Sequence, residues 1–133
     1  MTREQLREFR DLGREVRQLR AELVSMESRI YAPRGQNFSS TPRGNSGGRT
    51  MDDLAVAHIK LKGRYTEKKK ALEKEGAEIK KAMSVLTVKE RRVIEARYFD
   101  GKSWDGVCQA VHYEWAQTHR IHGSALRKLE AQK

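Results

Sequence analysis

Apolar residues recur at heptad spacing near the N-terminus, and this pattern constrains the fold more than any other feature. A stripe in which spacings of three and four residues alternate lies along one face of an α-helix and is buried only against another helix. The pattern therefore predicts a helix of about 30 residues that packs against a second helix. The stripe consists of Phe9, Leu12, Val16, Leu19, Leu23, Met26 and Ile30.

A second long helix is predicted from Met51 to Ala82, after a loop at residues 31–50 that holds both prolines of the chain. Proline and glycine disrupt regular structure, so this segment is expected to be a flexible loop. Two helices of similar length joined by such a loop favour an antiparallel hairpin over residues 1–84. The second apolar stripe consists of Leu54, His58, Leu61, Tyr65, Leu72, Ile79 and Leu86.

A homodimer through the long helices is an alternative that the charges beside the first stripe do not decide. In a parallel pair, Glu15 would face Arg20 of the second copy, which is an attraction. Glu22 would face Glu27 in the same pair, which is a repulsion of similar size. Both arrangements predict an all-α fold.

The next region begins with a capping box. Thr87 can accept a hydrogen bond from the backbone of Glu90 while the Glu90 side chain returns one, which is a common way to start a helix. This helix is predicted to run to about Phe99. Gly101 then supplies the positive φ that ends a helix.

Two further helices are predicted before the chain ends. Ser103 can cap a short helix of about eight residues that begins at Trp104. After a turn at residues 112–114, a last helix is predicted from Trp115 to about Glu130. Three short helices with the middle one packed across the last are typical of a helix-turn-helix domain, here predicted over residues 85–133.

The chain is strongly basic, with 28 Lys and Arg against 18 Asp and Glu and a net charge of +10. Such a charge attracts polyanions, so the partner classes are nucleic acid, an anionic membrane surface or an acidic protein. The single cysteine suits a reducing compartment, and no secretory signal or bilayer-spanning run is recognisable. The composition therefore predicts a cytoplasmic protein that does not enter a membrane.

Cys108, His112, His119 and His122 lie close enough in the sequence to raise the question of a zinc site. The predicted helices place these side chains on different faces, so no metal or other cofactor is expected. Cys108 is predicted to be a small buried residue, and His119 and His122 are predicted to be surface residues. His58 lies on the second stripe, where packing is expected. No arrangement of acids, bases or nucleophiles suitable for catalysis is recognisable, so an enzyme is not expected.

A helix-turn-helix inserts the start of its last helix into the major groove of double-stranded DNA. Arg120 is the strongest candidate for base recognition because its guanidinium can pair with guanine through two hydrogen bonds. The predicted base-contacting residues are Trp115, Ala116, Gln117, His119 and Arg120. The predicted phosphate contacts, which would position the protein without specifying sequence, are Lys102, Ser103, Arg127 and Lys128.

The segments "LTVKERRVIEARYFDGKSWDGVCQAV" and "THRIHGSALRKLE" resemble region 4 of bacterial sigma factors. In that region a helix ending in an Arg-Tyr or Arg-Phe pair is followed by glycine, a capping serine, a short helix and a recognition helix. The layout of the whole chain is similar to that of phage-encoded regulators of the ArpU and RinA type. The resemblance implies a DNA-binding regulator that activates late phage genes with the RNA polymerase of the bacterial host.

The resemblance to region 4 covers about residues 86–130. Two departures concern the turn: His112 stands where the family usually has glycine, and Glu114 stands where serine or threonine usually caps the recognition helix. No cluster of aromatic residues for opening promoter DNA is recognisable, so the implied role is that of an accessory factor. Carried over by position, the base-contacting residues of the family fall on Trp115, Ala116, His119 and Arg120, and its phosphate-facing cap falls on Ser103.

Two other functions stay open at this point. A small terminase-like subunit for phage DNA packaging also joins a helix-turn-helix to oligomerising helices, and it would form a ring of many subunits. A helical protein-interaction adaptor would use the heptad stripes to dock a partner and would not bind DNA even at low salt.

Overall fold

The computed structural model describes residues 1–31 and 51–132, which form helices joined by short connections, with no strand among them. The prediction of an all-α chain is confirmed for these residues. The loop predicted at residues 31–50 lies outside the described residues except for Tyr31, which is the last residue of the first helix. None of the described helices is both long and apolar enough to span a bilayer.

Two long helices and three short ones make up the described chain. The two long helices begin and end within a few residues of the predicted bounds. A 3-10 turn at Met83–Val85 follows the second of them directly. The helices are α1 (Arg3–Tyr31), α2 (Met51–Ala82), α3 (Val88–Ile94), α4 (Trp104–Val111) and α5 (Trp115–Ala131).

The capping box predicted at the start of α3 is present. Thr87 Oγ1 accepts a hydrogen bond from the Glu90 backbone N–H at 3.2 Å, and Glu90 Oε1 accepts one from the Thr87 N–H at 2.9 Å. After α3 the chain continues as a π-helical segment at Glu95–Phe99, where an α-helix had been predicted. Gly101 has a φ of 70°, as predicted, and ends this segment.

Local signals also set the limits of α4 and α5. Ser103 Oγ accepts a hydrogen bond from the Gly106 N–H at 3.2 Å and so caps α4, which confirms the prediction. His112 ends α4 in the left-handed conformation with a φ of 61°. Histidine, like asparagine and aspartate, adopts this conformation more often than other non-glycine residues. Glu114 precedes α5 without a side-chain capping hydrogen bond.

The chain divides into two compact units. The terminal unit contains Met1–Glu15 and the described residues from Lys70 onward, and the middle unit is Val16–Lys69. These units do not coincide with the predicted domains, residues 1–84 and 85–133, which stay a prediction.

The core of the terminal unit is made by residues from all five helices and the segments between them. Leu6 of α1, Met83, Val93, Ile94 and Leu129 are almost completely buried. Burial of one such aliphatic side chain contributes about 1.5–3 kcal/mol, so this core fixes α5 firmly against α3. A second cluster under α4 consists of Val93, Ala96, Val107 and Val111, with Trp104, Tyr113 and Ile121 packed against it.

The middle unit has a smaller core, in which Leu19 and Leu23 of α1 are buried with Leu61 of α2. Met26 and Tyr65 pack against these three leucines. Beside them, His58 Nε2 lies 3.1 Å from Glu27 Oε2, and the His58 side chain is mostly buried. The heptad stripes therefore supply the apolar contacts of this unit, and His58 packs as expected.

Candidate nucleic-acid interface

The first two turns of α5 carry the predicted base-contacting residues, and most of them are exposed. Trp115 is 53% exposed, and Ala116, Gln117 and Arg120 are also exposed. His119 is half-buried. Gln117 and Arg120 lie three residues apart on one face of the helix, so both can reach the same ligand. The structure thus brings the predicted base-contacting residues to one end of α5.

The opposite face of α5 is fixed by the core of the terminal unit. Thr118, Ala125 and Leu129 have no exposed surface. Ile121 is half-buried and borders a shallow concavity of about 320 Å³ beside Gln117 and Arg120. A helix held this firmly along one side presents its exposed side chains in a defined orientation.

The prediction that His122 is a surface residue is wrong. His122 is 8% exposed, and its Nε2 lies 2.8 Å from the hydroxyl oxygen of Tyr98. Burial lowers the pKa of His122 to about 4, and the positive charges of nearby Arg3 and Arg97 add to the effect. The imidazole is therefore neutral at pH 7, and its Nε2 and the Tyr98 hydroxyl share a hydrogen bond whose direction depends on the tautomer.

His119 connects the exposed start of α5 to the interior of the terminal unit. Its ring centroid lies 4.5 Å from that of Trp115 and 4.3 Å from that of Trp104. His119 is therefore not the plain surface residue that was predicted, because two indoles cover it. Its Nε2 atom is buried and has no hydrogen-bond partner among the described residues.

Trp104 is a site residue that the sequence analysis missed. The guanidinium carbon of Arg97 lies 4.6 Å from its ring centroid, within the range of a cation–π interaction. Arg97 also donates a hydrogen bond from Nη1 to the carbonyl oxygen of Lys102 at 2.9 Å. These contacts hold the Arg97 guanidinium at the start of α4.

The four predicted phosphate contacts differ in their surroundings. Lys102, Ser103 and Arg127 are exposed, although the Ser103 hydroxyl oxygen is engaged in capping α4. Lys128 instead forms an ion pair, with its Nζ 2.8 Å from Oε1 of the buried Glu90. The structure therefore gives Lys128 a partner within the protein.

Glu90 has enough partners to remain ionised inside the protein. Burial raises its pKa, but hydrogen bonds from Lys128, from the Thr87 backbone N–H and from the Ser124 hydroxyl outweigh burial and lower it to about 2. The Ser124 hydroxyl donates to Glu90 Oε2 at 2.7 Å. Since Ser124 and Lys128 belong to α5, this carboxylate ties α5 to the start of α3.

A second basic surface of the terminal unit was not predicted. It is a pocket of about 370 Å³, which we name the arginine pocket. Asp11 is the only carboxylate among the described residues that line it. A signal for it exists in the sequence, because arginines recur on α1 at spacings of four, three and four, from residue 3 to residue 14. The other lining residues are Arg3, Arg7, Arg10, Arg97, Tyr98, Trp104, His119 and His122.

The residues once considered for a zinc site are not brought together. Within the described ranges, no three His, Cys, Asp or Glu side chains form a group suited to a metal ion. Cys108, predicted to be buried, is half-buried, and His112 is exposed at the end of α4. The histidines instead serve as the left-handed cap of α4, as a ring partner of two tryptophans and as a buried hydrogen-bond partner of Tyr98.

No family model, curated protein or solved structure matches the chain. The function must therefore be argued from the sequence and from the geometry of the terminal unit.

Proposed function

We propose that this protein is a sequence-specific DNA-binding transcriptional regulator whose α3, α4 and α5 form a sigma region 4-like helix-turn-helix. One observation carries the proposal: α5 is buried along one side while Gln117 and Arg120 project from its first two turns. A helix with this distribution can enter the major groove without losing its contacts to the core.

The local arrangement of α4 and α5 supports this interpretation. Three residues, 112–114, separate the two helices, and both helices pack on the small cluster around Val107. A helix of eight residues followed by a short turn and a longer helix agrees with the helix-turn-helix pattern. The protein then contacts the sugar-phosphate backbone through α4 and base edges through α5.

The chemistry of the exposed residues suits base recognition in the major groove. Arg120 can pair with the O6 and N7 atoms of guanine, and Gln117 can pair with the N6 and N7 atoms of adenine. Trp115 offers an apolar surface to a thymine methyl group or to a deoxyribose. Lys102 and Arg127 supply charges for the flanking phosphates.

The long helices have a separate role in the proposal. In each unit, buried apolar residues of α1 pack with those of α2, which supports an antiparallel hairpin. The resemblance to phage late regulators extends the proposal to action with host RNA polymerase in the cytoplasm of a bacterium. A homodimer through α1 and α2 is compatible with it, because Val56 and Ile59 expose apolar surface on α2.

The proposal is tested by a binding titration after the target sequence has been selected from a library of random duplexes. Arg120→Ala should weaken binding to the selected duplex by 1–3 kcal/mol, roughly 5- to 150-fold, and should weaken binding to a scrambled duplex much less. Arg127→Ala is the matched control, because this exposed arginine lies near the other end of α5. It should weaken both duplexes by the same factor.

Equal losses on both duplexes for Arg120→Ala would reduce this residue to a phosphate contact. If the wild-type protein bound no duplex at low salt, the adaptor function would replace the proposal. A ring of many subunits, measured by native mass spectrometry, would favour the DNA-packaging function instead.

A further inference from the structure

We infer that the arginine pocket binds backbone phosphates of the DNA strand that flanks α5, so that α1 is part of the nucleic-acid interface. The inference rests on the proposed DNA-binding function and adds a contact surface on a helix outside the helix-turn-helix. Its evidence is the composition of the pocket, its unpartnered polar atoms, its aromatic wall and its continuity with α5.

The pocket concentrates positive charge. Four arginines line the pocket, and Asp11 supplies its single carboxylate among the described residues. Two histidines also line it, and one of them, His122, is neutral at pH 7. Burial lowers the pKa of Arg97, and repulsion by Arg10, Arg14 and Arg7 lowers it further. Like charges held this close destabilise the free protein, and an anion placed among them removes the repulsion.

The pocket also contains polar atoms that lack partners. Arg10 Nε and His119 Nε2 are buried and make no hydrogen bond within the described parts of the chain. A buried donor without a partner costs about 1–3 kcal/mol. Both side chains line the pocket, and phosphate oxygens accept hydrogen bonds from the other N–H groups of a guanidinium.

The aromatic wall argues against a nucleobase as the ligand. The guanidinium carbon of Arg97 lies 4.6 Å from the Trp104 ring centroid, and the His119 ring centroid lies 4.3 Å from it. His122 contacts the same indole in an edge-to-face arrangement, with the ring centroids 4.7 Å apart. Little of the indole is left for stacking with a base, so the pocket offers charge and hydrogen-bond donors, which suits a phosphate group.

The arginine row is too long for a single phosphate. From Arg3 to Arg14 it extends about 16 Å along α1, at about 1.5 Å per residue. This length exceeds the size of one phosphate group, so the row can contact more than one phosphate of a strand. His119 connects the pocket to the predicted base-contacting face, since it lines the pocket and also touches Trp115. A strand that borders the groove occupied by α5 can therefore continue along α1.

The test measures the salt dependence of DNA binding for Arg7→Gln and Arg10→Gln. Each variant should reduce the slope of log K against log salt by about 0.9, which is the loss of one phosphate contact. The affinity at 0.1 M salt should then fall by about eightfold, and equally for the selected and scrambled duplexes. Arg20→Gln is the matched control, because Arg20 is an exposed arginine of the same helix that does not line the pocket, and its slope should equal that of the wild type.

Arg7 is exposed, so Arg7→Gln should fold normally even if Arg10→Gln does not, and far-UV circular dichroism verifies this for each variant. Unchanged slopes in a folded Arg7→Gln and in a folded Arg10→Gln would overturn the inference while the proposed function stands. If the wild-type protein bound no DNA, both the proposed function and this inference would be wrong.

A separate arm tests a free phosphate compound as the source of the ligand, using inorganic pyrophosphate and tryptophan fluorescence. Both tryptophans lie beside the pocket, since Trp104 lines it and Trp115 touches His119. Saturable binding of pyrophosphate that depends on Arg7 and Arg10, together with unchanged DNA slopes, would assign the pocket to a small phosphate ligand and overturn the DNA assignment. Competition between pyrophosphate and DNA, lost in both variants, would support the DNA assignment.

Discussion

Acidification should destabilise the terminal unit through His122 well before most carboxylates are protonated. The folded protein holds the pKa of His122 at about 4 against an ordinary value of 6.5, mainly because the imidazole is buried. Below pH 6.5 the unfolded chain binds a proton that the folded protein does not bind until pH 4. The contribution of neutral His122 to stability is therefore complete above pH 6.5, falls between pH 6.5 and 4, and is constant below pH 4.

The size of this effect follows from the displacement of the pKa. Each pKa unit corresponds to about 1.4 kcal/mol, so the shift from 6.5 to about 4 predicts a loss of about 3–4 kcal/mol across this window. A loss of this size is a large part of the stability of a small domain. His122→Gln should remove the pH dependence in this window, because glutamine does not titrate and its amide can still pair with the Tyr98 hydroxyl.

Urea unfolding followed by tryptophan fluorescence at pH values from 7.5 to 3.5 measures the effect. Trp104 and Trp115 are the two tryptophans of the chain, so the signal reports the terminal unit. The difference in the free energy of unfolding, wild type minus His122→Gln, should decrease as the pH is lowered from 6.5 to 4. If the two proteins lose stability in parallel over this range, His122 is not a buried neutral base and the argument from its burial fails.

Glu90 is the second residue whose pKa is shifted, and it titrates in a different pH range. Glu90→Gln is therefore the matched comparison for His122→Gln. The pKa of Glu90 is lowered from 4.5 to about 2, since its hydrogen bonds outweigh the effect of burial. The stability that ionised Glu90 contributes is present above pH 4.5 and is lost as the pH falls toward 2. Glu90→Gln should thus keep the change between pH 6.5 and 4.5 that His122→Gln abolishes.

Three further substitutions test the packing described above. Lys128→Ala should lower the free energy of unfolding by about 1–3 kcal/mol, because it leaves the buried Glu90 carboxylate without its cation, and adding Glu90→Gln should recover part of this loss in urea unfolding. Gly123→Ala should stabilise α5 by up to about 1 kcal/mol, because the nearest atom to the added carbon is Arg127 Nη1 at 3.6 Å, and thermal melting measures the gain. Leu19→Asp should destabilise the middle unit by several kcal/mol, because Leu19 is 3% exposed, and an unchanged melting curve would show that this leucine is not packed in solution.

The starts and ends of the short helices were predictable because their causes are local. The capping box joins Thr87 to Glu90 over three residues, and Ser103 caps α4 over the same distance. Glycine likewise permits the positive φ at Gly101 without a steric cost. The π-helical segment at Glu95–Phe99 was not predictable, because its hydrogen bonds differ from those of an α-helix by one residue and no residue type requires them.

The burial of His122 was missed because its partner is remote in the sequence. Its position was informative, since it lies four residues after the buried Thr118 and three before the buried Ala125. His122 was predicted to be a surface residue despite this spacing, because histidine is often exposed. Only the tertiary structure shows that the Tyr98 hydroxyl, 24 residues away, satisfies the ring and makes its burial tolerable.

Only part of the candidate site was predicted, because some of its contacts are local in the sequence and others are not. The exposed side chains at the start of α5 follow from helical periodicity, which puts residues 117 and 120 on one side and residues 118 and 125 on the other. The ion pair of Lys128 could not be inferred, because Glu90 comes from another helix. Nor could the arginine pocket, since spacing on α1 aligns its arginines but does not say that Arg97 and Trp104 face them.

Polar groups in the terminal unit fall into two classes, and the division supports the placement of the interface. Glu90, Lys128 and Ser124 satisfy one another, as do Tyr98 and His122, so these groups stabilise the fold and have little left to offer a ligand. Arg10 Nε, His119 Nε2 and Thr118 Oγ1 have no such partners in the described chain; Arg10 and His119 line the arginine pocket, whereas Thr118 lies in the core. Since a fold selected only for stability would neutralise such a cluster, the unbalanced charge is best explained by an anionic ligand. That ligand would meet both α1 and the exposed turn of α5, because His119 borders both surfaces.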